Sequence, residues 1–322
     1  MNNYSWLQKK IHKFVLETRF LRETIFEAES TIFSYMPKSD QHIFVCGLAR
    51  SGTTVLLNAL YYSGEFASLC YEDMPFVLAP NLWSKFSFFK MNKTLLERAH
   101  GDGIQISAES PEAFEEVFWR TFNEKENSIV EKFEIYVNNV NRKYKKNRYL
   151  SKNNQNIKRI NLILKIFPKS KIFIPFRSPS QHSYSLCNQH KRFVDKAQKD
   201  NFIADYMYWI GHTEFGPNYE PIHKSDVKFK DHLDINHWLE QWYMTYKSCF
   251  KLYQNHKNIK FICYENLCND KSYWDNVLTF GEIENKYSFH FKEVIKKLDV
   301  EFDTDLLIKS NRLYEQLSNA NY

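Results

Sequence analysis

The sequence predicts an α/β fold: a P-loop-like parallel β-sheet flanked by helices, in a single domain with helical additions. Three observations predict it. Short, strongly apolar runs recur at Ile43–Cys46, Lys171–Phe176 and Ile259–Cys263, as suits parallel strands buried on both faces. Stretches with helical spacing of apolar residues separate these runs. No internal repeat, low-complexity tract or proline-rich linker divides the chain.

Taken in order, residues 4–35 read as a helical arm. Leu7, Ile11, Phe14, Leu21 and Ile25 recur there at three-, four- and seven-residue steps. Packing is the expected role of this arm, with an oligomer contact such as a homodimer as the alternative. Pro37–Asp40 breaks the helix and leads into the first strand. Val55–Leu60 is apolar at helical spacing, and Gly64 stops it. Glu65–Tyr71 is a short strand candidate, and residues 76–100 are aromatic and helical or irregular. His100–Gly103 is a turn. Ser110 caps an expected helix over Pro111–Phe122. Residues 124–148 form an amphipathic helix whose basic end, from Arg142, reads as a solvated face. Ile157–Phe167 is a helix that Pro168 stops, and Ser180 caps the helix after the second apolar run. From Asp234 a long helix carries Trp238, Trp242, Tyr246 and Phe250 at four-residue spacing, a stripe that reads as core. From Glu284 onward the chain reads as helical and charged. The expected organisation is an N-terminal arm (1–40), a core (41–270) and a C-terminal helical part (271–322).

Composition bounds the function. With 322 residues and 43% hydrophobic content, a substantial core is available. The net charge of +6 is spread along the chain, which argues against a nucleic-acid surface and suits a small polyanionic ligand. No run of eighteen apolar residues exists, so no membrane span is expected. Met1–Arg22 lacks the apolar core of a signal peptide. The six cysteines show no C-x-x-C spacing and are expected to be free thiols in a reducing, cytoplasmic setting.

The stretch that carries chemistry is Gly47-Leu48-Ala49-Arg50-Ser51-Gly52-Thr53-Thr54, between the first strand and a helix. Its glycines let the backbone turn and let a ligand approach the amides. The helix N-terminus beyond them suits an anion. The spacing is close to the nucleotide loop G-x-x-x-x-G-K-[ST], but Thr53 stands in the place of the lysine and the cation has moved to Arg50. Glu72 and Asp73 follow the second strand candidate, where ligands of open α/β sheets bind. Arg177 ends the strand at Phe176, and Ser185 lies one turn into the following helix, so the two can meet over one anion. His212 and Glu214 form an H-x-E pair without the P-C-x-x-C partner of a zinc site, and no metal is expected.

These motifs resemble the sulfotransferases that use 3′-phosphoadenosine 5′-phosphosulfate (PAPS). The likeness rests on Arg50-Ser51-Gly52-Thr53-Thr54 and on Arg177 with Ser185, eight residues on. It is nearest to the branch of bacterial carbohydrate and protein-tyrosine enzymes, where an acid follows the second strand, as in Tyr71-Glu72-Asp73, and a lysine precedes the second motif, as at Lys152. Val55 follows the threonines where small-molecule sulfotransferases carry Trp, and their basic C-terminal loop has no clear counterpart.

The resemblance implies transfer of a sulfuryl group to an acceptor hydroxyl, with a saccharide expected and adenosine 3′,5′-bisphosphate (PAP) as product. It implies that Arg50, Ser51, Gly52, Thr53 and Thr54 hold the 5′-phosphate, and Arg177 and Ser185 the 3′-phosphate. Arg50 and Lys152 would stabilise the leaving oxygen. Asp73 is the first choice of base, Glu72 the second, and His100 or His182 lesser ones. A kinase using ATP and magnesium, or a non-catalytic nucleotide-binding protein of the same fold, is the alternative.

Overall fold

In chain order the helices and strands are α1 (Trp6–Glu17), α2 (Arg19–Ile32), β1 (Ile43–Val45), α3 (Thr53–Tyr61), β2 (Phe66–Ala67), α4 (Pro80–Lys85), β3 (Leu96–Glu97), β4 (Gln105–Ile106), α5 (Glu116–Thr121) and α6 (Ile129–Tyr144). They continue with β5 (Arg148–Lys152), α7 (Ile160–Ile166), β6 (Lys171–Phe176), α8 (Pro179–Lys199), α9 (Asn201–Trp209), α10 (Ile235–Tyr253), β7 (Ile259–Cys263), α11 (Tyr264–Asn269), α12 (Lys271–Phe280) and α13 (Thr304–Asn319). The computed structural model describes residues 6–33, 39–85, 96–97, 105–199 and 201–320.

β1 is the middle strand of a five-stranded sheet with order β2-β5-β1-β6-β7, every neighbour parallel. Ile43 pairs with Leu150 on one side and Lys171 on the other, and Val45 with Lys152 and Phe173. β1 and β5 therefore end level with one another, while β6 runs three residues further, to Phe176, beside β7. Parallel strands need crossovers, and helices on both faces supply them. Ile43, Phe44 and Val45 are buried completely, as their unbroken apolar run requires. Phe44 packs against Phe133 of α6, Tyr149 of β5 and Phe167 after α7. The aromatic stripe on α10 is core: Trp238, Trp242 and Tyr246 are all buried. Asp234 caps that helix by accepting a bond from the amide of Asn236 at 2.8 Å.

The structure corrects several expectations. The arm is two helices, broken at Thr18, whose backbone is extended. The second strand shrinks to Phe66–Ala67, because Cys70 pairs with Pro111 and Tyr71–Asp73 turns as a 3₁₀ helix. α5 begins only at Glu116. The stretch Arg148–Lys152 is a full strand between β1 and β2, hidden in the sequence because Ser151 and Lys152 are buried polar residues. The largest change is in the C-terminal part. Residues 284–303 are a strap without regular structure, and helix resumes only at Thr304, capped by Asp303. His100 and its turn lie outside the described residues.

Candidate active site

The turn after β1 is built by its backbone. Gly52 sits at φ +96, and a Cβ there would stand 2.4 Å from the ring of Tyr264. Arg50 also adopts a left-handed φ of 70, a conformation that non-glycine residues adopt at a cost. Two bonds hold the loop from behind. Ser51 Oγ donates to the carbonyl of Leu48 at 2.8 Å, and His182 Nε2 donates to that of Ala49 at 2.8 Å. Burial lowers the pKa of His182 to about 3, so it is neutral and structural rather than a base. α3 starts directly after Gly52 with no side-chain cap, so its first-turn amides and positive dipole end point out of the loop.

A cavity of about 550 Å³ opens there, beyond the carboxyl ends of the strands. Arg50, Gly52, Thr53, Thr54, Lys152, Arg177 and Ser185 all line it. The two motifs touch: Arg50 Nε donates to Ser185 Oγ at 3.1 Å. Lys152, at the end of β5, is 7% exposed and stands 3.8 Å from the carboxylate of Glu112. Glu112 is held in turn by the hydroxyl of Tyr71 at 3.0 Å and the amide of Ala113 at 2.9 Å. Arg177 donates through Nη2 to the carbonyl of Val294 at 3.2 Å. Its Nε is buried, 4.0 Å from Glu265, and has no hydrogen-bond partner among the described residues.

Sequence reasoning missed the rest of the wall. Gln181, Asn188 and Arg192 continue the expected Ser185 into one stripe along α8, at steps of three and four residues, and all four line the cavity. That periodicity was visible. The strap adds Phe289, His290, Lys292, Val294 and Lys296 to the wall. It is tied down by Tyr264 Oη to the carbonyl of Lys292 at 3.1 Å, and by a mutual pair between Gln181 and Lys296 at 2.9 and 3.0 Å. Burial first, then Arg192, Arg50 and Arg177, lower the pKa of Lys296. Arg50, Lys152, Arg177, Arg192, Lys292 and Lys296 thus crowd cationic charge around one space. Such a space favours a multiply charged anion.

Three expected site residues sit elsewhere. Asp73 is fully buried and does not line the cavity. Its carboxylate accepts bonds from the ammonium of Lys143, from Tyr144 Oη at 2.6 Å and from the amide of Cys70 at 2.8 Å. Burial raises its pKa, while Lys143 and these bonds oppose the shift. Glu72 also binds Lys143, at 2.8 Å, and is likewise absent from the cavity wall. So Lys143, in the basic run expected to be solvated, turns inward. Desolvation disfavours its charge, but Asp73 and Glu72 outweigh that and raise its pKa. Ser51 is 0% exposed and serves the loop rather than the cavity.

Among the described residues no cluster of His, Cys, Asp and Glu is arranged to hold a metal, and no helix is long and apolar enough to cross a membrane. All six cysteines are free, five of them buried.

Comparison with known proteins bears on the fold and the family. The solved structures that resemble the chain include sulfotransferase STF1 from Mycobacterium tuberculosis H37Rv, at TM-score 0.51 and 11% identity, covering 87% of this chain and 78% of that one. Sulfotransferase STF9 from Mycobacterium avium aligns at TM-score 0.47 and 11% identity, over 98% of this chain and 79% of that one. A sulfotransferase from Alicyclobacillus acidocaldarius aligns at TM-score 0.44 and 14% identity, over 88% and 97%. No curated protein matches the sequence. The model of the sulfotransferase family matches residues 42–214, more than half of the chain and every motif described above. The parallel sheet, its glycine turn and that match together identify the chain as a member of the sulfotransferase family.

Proposed function

We propose that the protein transfers a sulfuryl group from PAPS to an acceptor hydroxyl, of a saccharide by preference, and releases PAP. The observation that carries this reading is the meeting of the two anion corners, Arg50 with Ser185, in one cation-lined cavity. The residues suit a doubly phosphorylated adenosine. The volume of about 550 Å³ is that of a ligand pocket. The orphaned Nε of Arg177 requires an acceptor oxygen, which a 3′-phosphate carries.

In this reading Thr53, Thr54 and the first amides of α3 hold the 5′-phosphate. Arg177 and Ser185 hold the 3′-phosphate, with Arg192 and Lys296 adding charge beside them. When bound, the donor supplies an activated sulfuryl group on a phosphate oxygen. Arg50 and Lys152 keep fixed positive charge where that oxygen becomes negative, and so lower the barrier. We propose no metal, because a sulfuryl group carries less charge than a terminal phosphoryl group. The free thiols fit a reducing, cytoplasmic compartment.

Calorimetry with PAP beside ATP-Mg²⁺ tests the donor. Tight PAP binding with weak ATP-Mg²⁺ binding is expected, and the reverse order overturns the reading in favour of a kinase. Mass spectrometry of a saccharide panel incubated with PAPS tests the acceptor by the gain of one sulfuryl group. A gain on tyrosine peptides alone would move the acceptor class.

A further inference from the structure

Neither carboxylate expected to act as base lines the cavity, and the cavity wall holds another carboxylate. Among the described residues, Glu214 is the one carboxylate that lines the cavity, amid six cationic side chains. A carboxylate in an anion site opposes binding of the anion, so its place there calls for another role. We propose that Glu214 is the general base for the acceptor hydroxyl. This rests on the sulfuryl-transfer reading above.

Geometry puts it on the side of Lys152. Asn154, two residues beyond Lys152, donates through Nδ2 to Glu214 Oε1 at 3.0 Å. His212, two residues before Glu214, donates through Nε2 to the carbonyl of Ala113 at 2.9 Å. Ala113 follows Glu112, the neighbour of Lys152 at 3.8 Å. The segment 212–214 is therefore stitched at two points to the surroundings of Lys152. Phe215, buried directly after it, fixes the far end of the segment against Phe193 and Trp238. Glu214 itself is half-buried and reaches the cavity. The acceptor oxygen bonds to sulfur as its proton passes to Glu214. The S–O bond to the 5′-phosphate breaks, and its electron pair stays on the phosphate oxygen, beside Arg50 and Lys152.

Two measurements on the full chain, as wild type, Glu214→Gln and Glu214→Asp, test the assignment. The first is the affinity for PAP by calorimetry. The second is single-turnover consumption of PAPS, with the saccharide panel as acceptor and water as background acceptor. Glu214→Gln is expected to bind PAP as tightly as wild type or more so, and to consume PAPS about 10²–10⁴-fold more slowly. Glu214→Asp is expected to recover part of the rate. Wild-type consumption by Glu214→Gln with PAP bound overturns the role of Glu214 alone. So does a loss of PAP affinity that matches the loss of rate, which marks a structural role. Failure of the wild type to bind PAP overturns the donor reading, and this assignment with it.

Discussion

Single residues divide the chemistry between holding charge and holding shape. In the proposed reading Arg177 does the first: its replacement by alanine removes a charge-assisted bond to the 3′-phosphate of about 1.5–3 kcal/mol, so PAP affinity should fall about 10–100-fold in calorimetry, with the fold kept. Arg50→Ala and Lys152→Ala should nearly abolish PAPS turnover while circular dichroism stays that of the wild type. Gly52 does the second. At φ +96, with Tyr264 2.4 Å from the site of a Cβ, Gly52→Ala should destabilise the chain by about 1–3 kcal/mol in urea titration and weaken PAP as the loop shifts. Asp73 belongs to this second group as well. Asp73→Asn takes one of the two carboxylates from the ammonium of Lys143, leaving Glu72 at 2.8 Å, and should cost about 1–3 kcal/mol of stability in urea titration. Arginine, serine and the glycine turn were legible because their spacing is local. The role of Asp73 was not, because its partners Lys143 and Tyr144 are some seventy residues away in sequence.

Among the elements, α8 and the strap decide what the cavity can bind. α8 brings Ser185 and Arg192 to one wall, and the strap, bonded to α8 through Gln181 and Lys296, adds Lys292 and Lys296 as a second wall beside it. If both walls contact the bound nucleotide, Lys296→Ala should weaken PAP more than it weakens adenosine 5′-monophosphate, because its cationic neighbours are Arg192, Arg50 and Arg177. Competition titrations with the two nucleotides measure the difference. The strap was misread as helix although Tyr287, Phe289 and Phe291 alternate at a period of two, the mark of extended chain. Charged residues on either side masked that alternation. The structure shows why it is extended: these rings pack on Trp274 of α12. β5 was missed for the opposite reason. Two of its five positions are buried polar residues, Ser151 and Lys152, whose burial only the neighbouring strands explain.

At the level of the whole molecule, the parallel sheet was legible from three apolar runs, because strands covered on both faces carry an unbroken signal. What the runs did not carry was strand order, which depends on where β5 inserts. The buried histidines give the folded chain a pH dependence. Burial lowers the pKa of His42 and His182 to about 3, and that of His190 to about 4. In the unfolded chain each titrates near its ordinary value of about 6.5. Their contribution is therefore complete above about pH 6.5 and is lost as pH falls from there toward 3 to 4, at about 1.4 kcal/mol per pH unit for each histidine. Urea titrations at pH 7.5, 6 and 5 should show the decline, and His182→Gln should make it shallower.

The strap follows every strand of the sheet in sequence, yet it supplies a wall of the cleft. During synthesis every strand of the sheet leaves the ribosome before that wall does. A nascent chain that has cleared the ribosome only as far as residue 283 should then be blind to PAP. Nucleotide capture would be the last competence the growing polypeptide acquires.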